Sequence, residues 1–162
     1  MTKQSVTSKR VLRADRPLWV DTPHISVVTQ KSPRKRAYDV IIVGAGISGA
    51  LMADALADGK RSILVVDRRG AVKGSSLAST AMIQHEIDAP LFKLSQAIGN
   101  SRAERVWRRS AQAVEGLTKL VKSLGISCQL EAKNTLYLAG KAYGPRALRR
   151  ETKARTNAGI NA

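Results

Sequence analysis

Cysteine occurs once and histidine twice in these 162 residues, and aromatic side chains make up only 4%. A lone Cys128 excludes an internal disulfide framework and fits a reducing compartment, so a cytoplasmic location is expected. His24 and His85 have no companions at metal-ligand spacing, which leaves no metal site to propose. The Ser, Cys and His residues suggest no nucleophilic triad either. No apolar run approaches the length of a membrane-spanning helix, and the start, MTKQSVTSKRVLRADRPLW, has no apolar segment of the secretory kind. That start is basic and slightly similar in composition to a transit peptide, a reading ranked below the cytoplasmic one. Acids are scarce as well: 12 stand against 28 Lys and Arg, for a net charge of +16. So basic a balance suits nucleic acid or a small anionic ligand. The poverty in aromatics and the lack of a stacking motif argue against nucleic acid. No internal repeat is present.

What the chain does have is 43% hydrophobic residues, enough for a globular core. Its most organised stretch is Asp39 to Asp67, DVIIVGAGISGALMADALADGKRSILVVD. Val40–Val43 is an apolar run suited to a strand buried on both faces. Gly44, Gly46 and Gly49 follow in the spacing G-x-G-x-x-G. Ile47, Leu51, Met52, Ala55 and Leu56 then recur at helical spacing, with Gly59 as a stop. A second apolar run, Ile63–Val66, ends in Asp67. The pattern predicts a strand, a tight turn, a helix and a parallel strand.

Each glycine has a reason in that pattern. Gly44 permits the tight turn, Gly46 lets a pyrophosphate approach the backbone, and Gly49 lets the helix pack closely. The helix N-terminus offers unpaired N–H groups to phosphates. Asp67, 18 residues beyond Gly49, stands where a carboxylate accepts hydrogen bonds from a ribose diol. Dinucleotide binding is preferred over a purely structural glycine turn. Asp67 favours a free 2′-hydroxyl, as in FAD or NAD. Arg68 and Arg69 leave open a 2′-phosphate, although solvated surface arginines are the simpler reading.

Residues 1–37 hold nine Lys and Arg against two Asp and show no periodicity. They read as a basic extension with Pro17, Pro23 and Pro33. Trp19 and Val20 are candidates to anchor it, and the Lys31–Arg36 cluster reads as solvated linker before it reads as a phosphate site. After Asp67, Gly70 and Gly74 mark a loop. Ser75, Ser76, Ser79 and Thr80 then crowd small hydroxyls together. They fit an ordinary helix cap, or a second helix N-terminus facing the cofactor.

With these residues in place, 38–88 resembles the D-amino-acid-oxidase type of FAD-dependent oxidoreductase, the group that includes glycine oxidase and sarcosine oxidase. The matching features are DVIIVGAGISGALMADALA, VVDRR and GSSLASTAMIQHEID. The resemblance implies FAD as cofactor. Its pyrophosphate would lie on the glycine motif, its adenosine ribose on Asp67 (usually Glu in this family), and its flavin side against the Gly-Ser loop. The candidate cofactor-binding residues are therefore Gly44, Ala45, Gly46, Ile47, Ser48, Gly49, Asp67, Arg68, Ser75, Ser76, Ser79 and Thr80. No catalytic residue is identified. Pro17–Trp19 is similar to an N-terminal extension of some members.

Further along, Pro90 opens a helix Leu91–Ile98 that Gly99 stops. Ser101 and Glu104 fit a capping box. Val106, Trp107, Ser110, Val114, Leu117, Val121 and Leu124 mark one face of a long helix ending at Gly125. Arg108 and Arg109 read as surface arginines before they read as a carboxylate site. Ile126–Leu130 and Thr135–Ala139 are expected as strands. Asn134 to Ala139 resembles the segment that begins the family's antiparallel substrate domain, with Tyr137 in cross-strand packing rather than on substrate. Pro145–Arg155 reads as a basic, solvated helix.

The expected class is α/β: a Rossmann-like FAD-binding βαβ unit, then helices and the start of an antiparallel substrate domain. The division is 1–37 extension, 38–89 partial FAD-binding domain and 90–162 helical segment with partial substrate domain. The family's members are longer, so the chain is expected to be an N-terminal portion, inactive alone and open to a partner chain. The implied reaction is oxidation of a C–N bond of an amino acid or amine. The alternative is a dinucleotide-binding module without catalysis.

Overall fold

Val40–Val43 (β1) pairs in parallel with Ile63–Val66 (β2) in a two-stranded sheet, in the register Val40↔Ile63 through Val43↔Val66. The structure is a computed structural model that describes residues 17–22 and 26–160. Part of the basic extension, with Pro23 and His24, lies outside the described residues. The chain forms two compact units, Met1–Ala81 and Met82–Ala162.

In the first unit β-branched residues supply both strands except at Leu64, as their fit to a pleated surface predicts. Both ends of the pairing are clasped. At the start Asp39 Oδ2 accepts from the Ser62 N–H and hydroxyl, each at 2.7 Å, while the Asp39 N–H donates to the Ser62 carbonyl at 3.0 Å. At the finish the Gly44 N–H donates to the Val66 carbonyl at 2.7 Å. The crossover helix α1 spans Ile47–Leu56, one turn short of Gly59. Ile42 is buried, yet Ile41, Val43, Ile47 and Met52 are more than half exposed. The sheet expected to be buried on both faces is thus open among the described residues. Trp19 does anchor its segment: its Nε1–H donates to the Ser79 carbonyl at 2.7 Å.

In the second unit Leu91–Ile98 (α2), Asn100–Ser123 (α3) and Pro145–Asn157 (α4) pack around Leu91, Ala103, Trp107, Ala158 and Ile160. Gly99, at φ +84°, joins α2 to α3 without a loop, a backbone state that glycine adopts without strain. Gly99 is therefore the N-cap of α3. The expected Ser101–Glu104 capping box does not form, because both residues already lie inside the helix. The buried face of α3 runs through Ala103 and Trp107, while Val106 and Leu124, expected on it, are 42% and 54% exposed. No described helix is long and apolar enough to cross a membrane.

The expected strands Ile126–Leu130 and Thr135–Ala139 are absent. A strand needs a ladder partner, and Gln129 at φ +54° interrupts the first run. Leu136 and Leu138 are 81% and 76% exposed. Side chains hold the second run instead: the Thr135 hydroxyl donates to Glu86 at 3.2 Å, and Tyr137 lies under a guanidinium described below.

Candidate functional site

The glycine turn sits where β1 hands over to α1. Gly44 has φ +107°, a state that only glycine takes readily. A Cβ on Gly49 would lie 1.9 Å from the Gly44 carbonyl oxygen and 3.5 Å from the Ile42 side chain. Helix, turn and strand therefore approach one another at a distance no side chain permits. Gly46 is the N-cap of α1 and, as a glycine, offers no side-chain cap of its own. Among the described residues no protein acceptor sits on the N–H groups of Ser48 and Gly49. These groups carry the partial positive charge of a helix N-terminus.

The loop that follows β2 returns over this turn at three points. Asp67 Oδ2 accepts from the Ala45 N–H at 2.9 Å. The Val72 N–H donates to the Ala45 carbonyl at 2.8 Å. Ser76 Oγ accepts from the Ile47 N–H at 3.1 Å. Val72 is held at φ +60°, a costly state for a β-branched residue. Asp67 Oδ1 also accepts from Arg69 N–H at 2.7 Å and Gly70 N–H at 3.0 Å. These N–H donors, Ala45 first, hold the Asp67 carboxyl below its ordinary value of 3.8.

Of the sequence candidates, Gly44, Ala45, Gly46, Ile47, Ser48, Gly49, Asp67 and Ser76 meet around this turn. Arg68 and Ser75 are exposed on the returning loop. The helix considered among Ser75, Ser76, Ser79 and Thr80 is a single 3-10 turn, Ser75–Ala78, with Ser79 as its C-cap and Thr80 beyond it. The Ser79 hydroxyl instead accepts from the Ala81 N–H at 3.1 Å, with Ala81 at φ +56°. The sequence reading missed the return of Asp67 onto the turn, although Asp-x-x-Gly is a recognisable side-chain-to-backbone turn signal.

The second unit holds a charged cluster that the sequence hid. Glu151 and Arg155, each 6% exposed, are one helical turn apart on α4. Glu151 accepts from the Leu91 and Phe92 N–H groups at 3.0 Å each, capping α2, and from Arg155 Nε at 2.8 Å. The Arg155 guanidinium lies 4.6 Å from the Trp107 ring centre, 4.8 Å from that of Tyr137, and 3.6 Å from Glu86. Desolvation pulls its pKa down, but hydrogen bonds to Glu151 and Tyr137 outweigh this and raise it. The basic helix thus turns its one acid and an arginine inward. Arg108 binds Glu104 and the Ala158 carbonyl, both at 3.2 Å, closing the end of α4.

The sequence model of one family, DAO, FAD-dependent oxidoreductases, matches residues 39–162. No curated protein and no solved structure matches the chain. The matched span opens one residue before β1 and takes in the glycine turn, α1, β2 and the whole of the second unit. The chain therefore belongs to the DAO family of FAD-dependent oxidoreductases, and its cofactor is FAD.

Proposed function

We propose that Gly44–Gly49 receive the diphosphate of FAD and that the reaction served is oxidation of a C–N bond in an amino acid or amine. The observation that carries this reading is the family match running through a glycine turn with unpartnered helix N–H groups. Ser48 and Gly49 would donate to the diphosphate, and the partial positive charge at the N-terminus of α1 favours its charge. Asp67 spends three acceptor positions on backbone N–H groups. A carboxylate offers about four, so the exposed group retains capacity for a ribose hydroxyl. When bound, the flavin supplies the hydride acceptor, and the protein's task is orientation. Ser75, Ser79, Thr80 and Arg68 are assigned to the same cofactor on the family likeness.

The test is a flavin-fluorescence titration of the chain and its Gly46→Val variant. A Cβ at Gly46 already comes within 3.1 Å of Ser76 Oγ, so a branched side chain blocks the approach to the turn. Unchanged FAD affinity in folded Gly46→Val would overturn the site. Tighter binding of NADP than of FAD or NAD at matched salt would overturn the ribose role of Asp67.

A second reading, dinucleotide binding without turnover by these 162 residues, is favoured by the open sheet. Val43 is 85% exposed and Ile41 60%, so a partner chain or further strands would have to cover them. Without such cover the substrate carbon is not held in a reactive geometry. Turnover of glycine, sarcosine or D-amino acids by the purified chain with FAD would refute this. The free, exposed Cys128 is compatible with a cytoplasmic setting.

A further inference from the structure

Arg146, Arg149, Arg150 and Lys153 stand at i, i+3, i+4 and i+7 on α4, which places all four on one face of the helix. All four are exposed, while Glu151 and Arg155 lie buried on the other side. Among the described residues none of the four has a carboxylate at ion-pair distance. On α3, by contrast, Glu104 pairs with Arg108 and Glu115 with Lys119, each one turn apart. The stripe works against its own helix. Arg146 and Arg150, like Arg149 and Lys153, are equal charges four residues apart, an arrangement that destabilises a helix. Arg146 also lies in the first turn, where no acid offsets the positive end of the helix dipole. A partner of opposite charge relieves both costs.

A cleft of about 380 Å³ runs from this stripe toward α2 and α3. Arg150 and Lys153 line it from α4, Gln96 and Asn100 from α2 and the start of α3, with the partly buried Phe92 between them. Glu104, its one carboxylate that is not buried, is already paired with Arg108. We propose that the α4 stripe and this cleft form a docking surface for an acidic, extended polypeptide segment of a partner chain. Arginine meets carboxylates with a two-pronged fork of donors. The stripe is about 10 Å long, a length that about three residues of extended chain span, so carboxylates at alternate positions meet successive cations. The carboxamides of Gln96 and Asn100 both donate and accept, as a peptide backbone does, whereas a phosphodiester only accepts. Phe92, the cleft's one aromatic, is packed edge-on against Tyr143 at 6.4 Å and stacks no base. No large apolar side chain of α4 is exposed, so this face inserts nothing into a bilayer.

The experiment is calorimetric titration of the full chain at low salt with an acetylated, amidated peptide of alternating Glu and Ala. Oligothymidylate and phosphatidylserine vesicles are titrated in parallel. Peptide binding should weaken by up to about fivefold in each of Arg150→Gln and Lys153→Gln, the worth of an exposed ion pair. It should weaken in Gln96→Ala as well, which removes a carboxamide and no charge. Lys122→Gln removes an exposed cation of α3 outside the cleft and should leave binding unchanged. That pattern supports the proposal. Equal weakening in Lys122→Gln, or unchanged affinity in Gln96→Ala, shows attraction to net charge alone and overturns it. Absence of peptide binding by the parent chain overturns it too. Tighter binding of oligothymidylate or vesicles at matched salt overturns it and assigns the face to that class of partner. Thermal unfolding provides a second measure without any ligand. Arg150→Gln and Lys153→Gln should raise the melting midpoint; a lowered midpoint shows that these cations serve the fold, and overturns the docking role.

Discussion

Asp67 Oδ2 accepts the Ala45 N–H at 2.9 Å across 22 positions of chain. The carboxylate at the end of the second strand thus pins the turn at the end of the first. Replacing Asp67 by Asn puts an NH2 where one oxygen must accept. Asp67→Asn should lower the stability of the first unit at pH 7, read as a lower melting midpoint in thermal unfolding.

The same residue sets an acid limit. The folded pKa values of Asp67 and Asp39 are lowered by hydrogen bonds, from Ala45 and from Ser62 first. Their contribution is present above the ordinary carboxyl value of 3.8 and is lost as pH falls through the lowered folded values. Stability of the first unit should therefore fall only below about pH 4. Asp67→Asn should show a shallower fall over that window in an acid titration monitored by circular dichroism.

Gly49→Ala should be far more damaging than Gly46→Ala. Its Cβ meets a backbone oxygen at 1.9 Å, whereas at Gly46 the neighbour is a serine hydroxyl at 3.1 Å that can rotate. A loss of about 3 kcal/mol or more is expected for Gly49→Ala. Denaturant midpoints of the two variants provide the comparison.

Val72→Gly should stabilise the chain by about 1 kcal/mol, because glycine removes the cost of φ +60° and Val72 is 46% exposed. A drop in melting temperature would show that the side chain contributes packing that outweighs strain.

Glu151→Ala should destabilise the second unit by about 3–5 kcal/mol, the usual cost of leaving a buried charge without its partner. It also strips the cap from the Leu91 and Phe92 N–H groups. Glu151→Gln keeps one acceptor oxygen and should cost less. Urea unfolding of both variants tests the order.

The legible parts of this fold are those written in local pattern. Val40–Val43, Ile63–Val66 and Leu91–Ile98 occur with the expected bounds, because apolar periodicity and glycine punctuation act within a few residues. The glycine turn belongs to the same class. Contacts between distant positions were not legible. Nothing near Glu151 announces that its carboxylate caps a helix 60 residues earlier, and charge counting placed Arg155 in solvent. Ile126–Leu130 and Thr135–Ala139 have strand-like composition, but composition cannot supply the ladder partner a strand requires. Ser76 was expected on the flavin side of the cofactor. That its hydroxyl occupies a turn N–H depends on the path of the loop through Val72, which no local preference predicts.

The two tryptophans fall one to each unit. Trp19 donates its indole N–H to a backbone carbonyl and is partly exposed, while Trp107 is wholly buried beneath a guanidinium with its Nε1 unpartnered. Their emission should differ in colour, redder for the polar Trp19 and bluer for the enclosed Trp107. Single-tryptophan variants would let one cuvette follow either unit's melting alone. Release of the Trp19 clasp from Ser79, three positions beyond Ser76, would then register as an optical signal before any enzyme assay is possible.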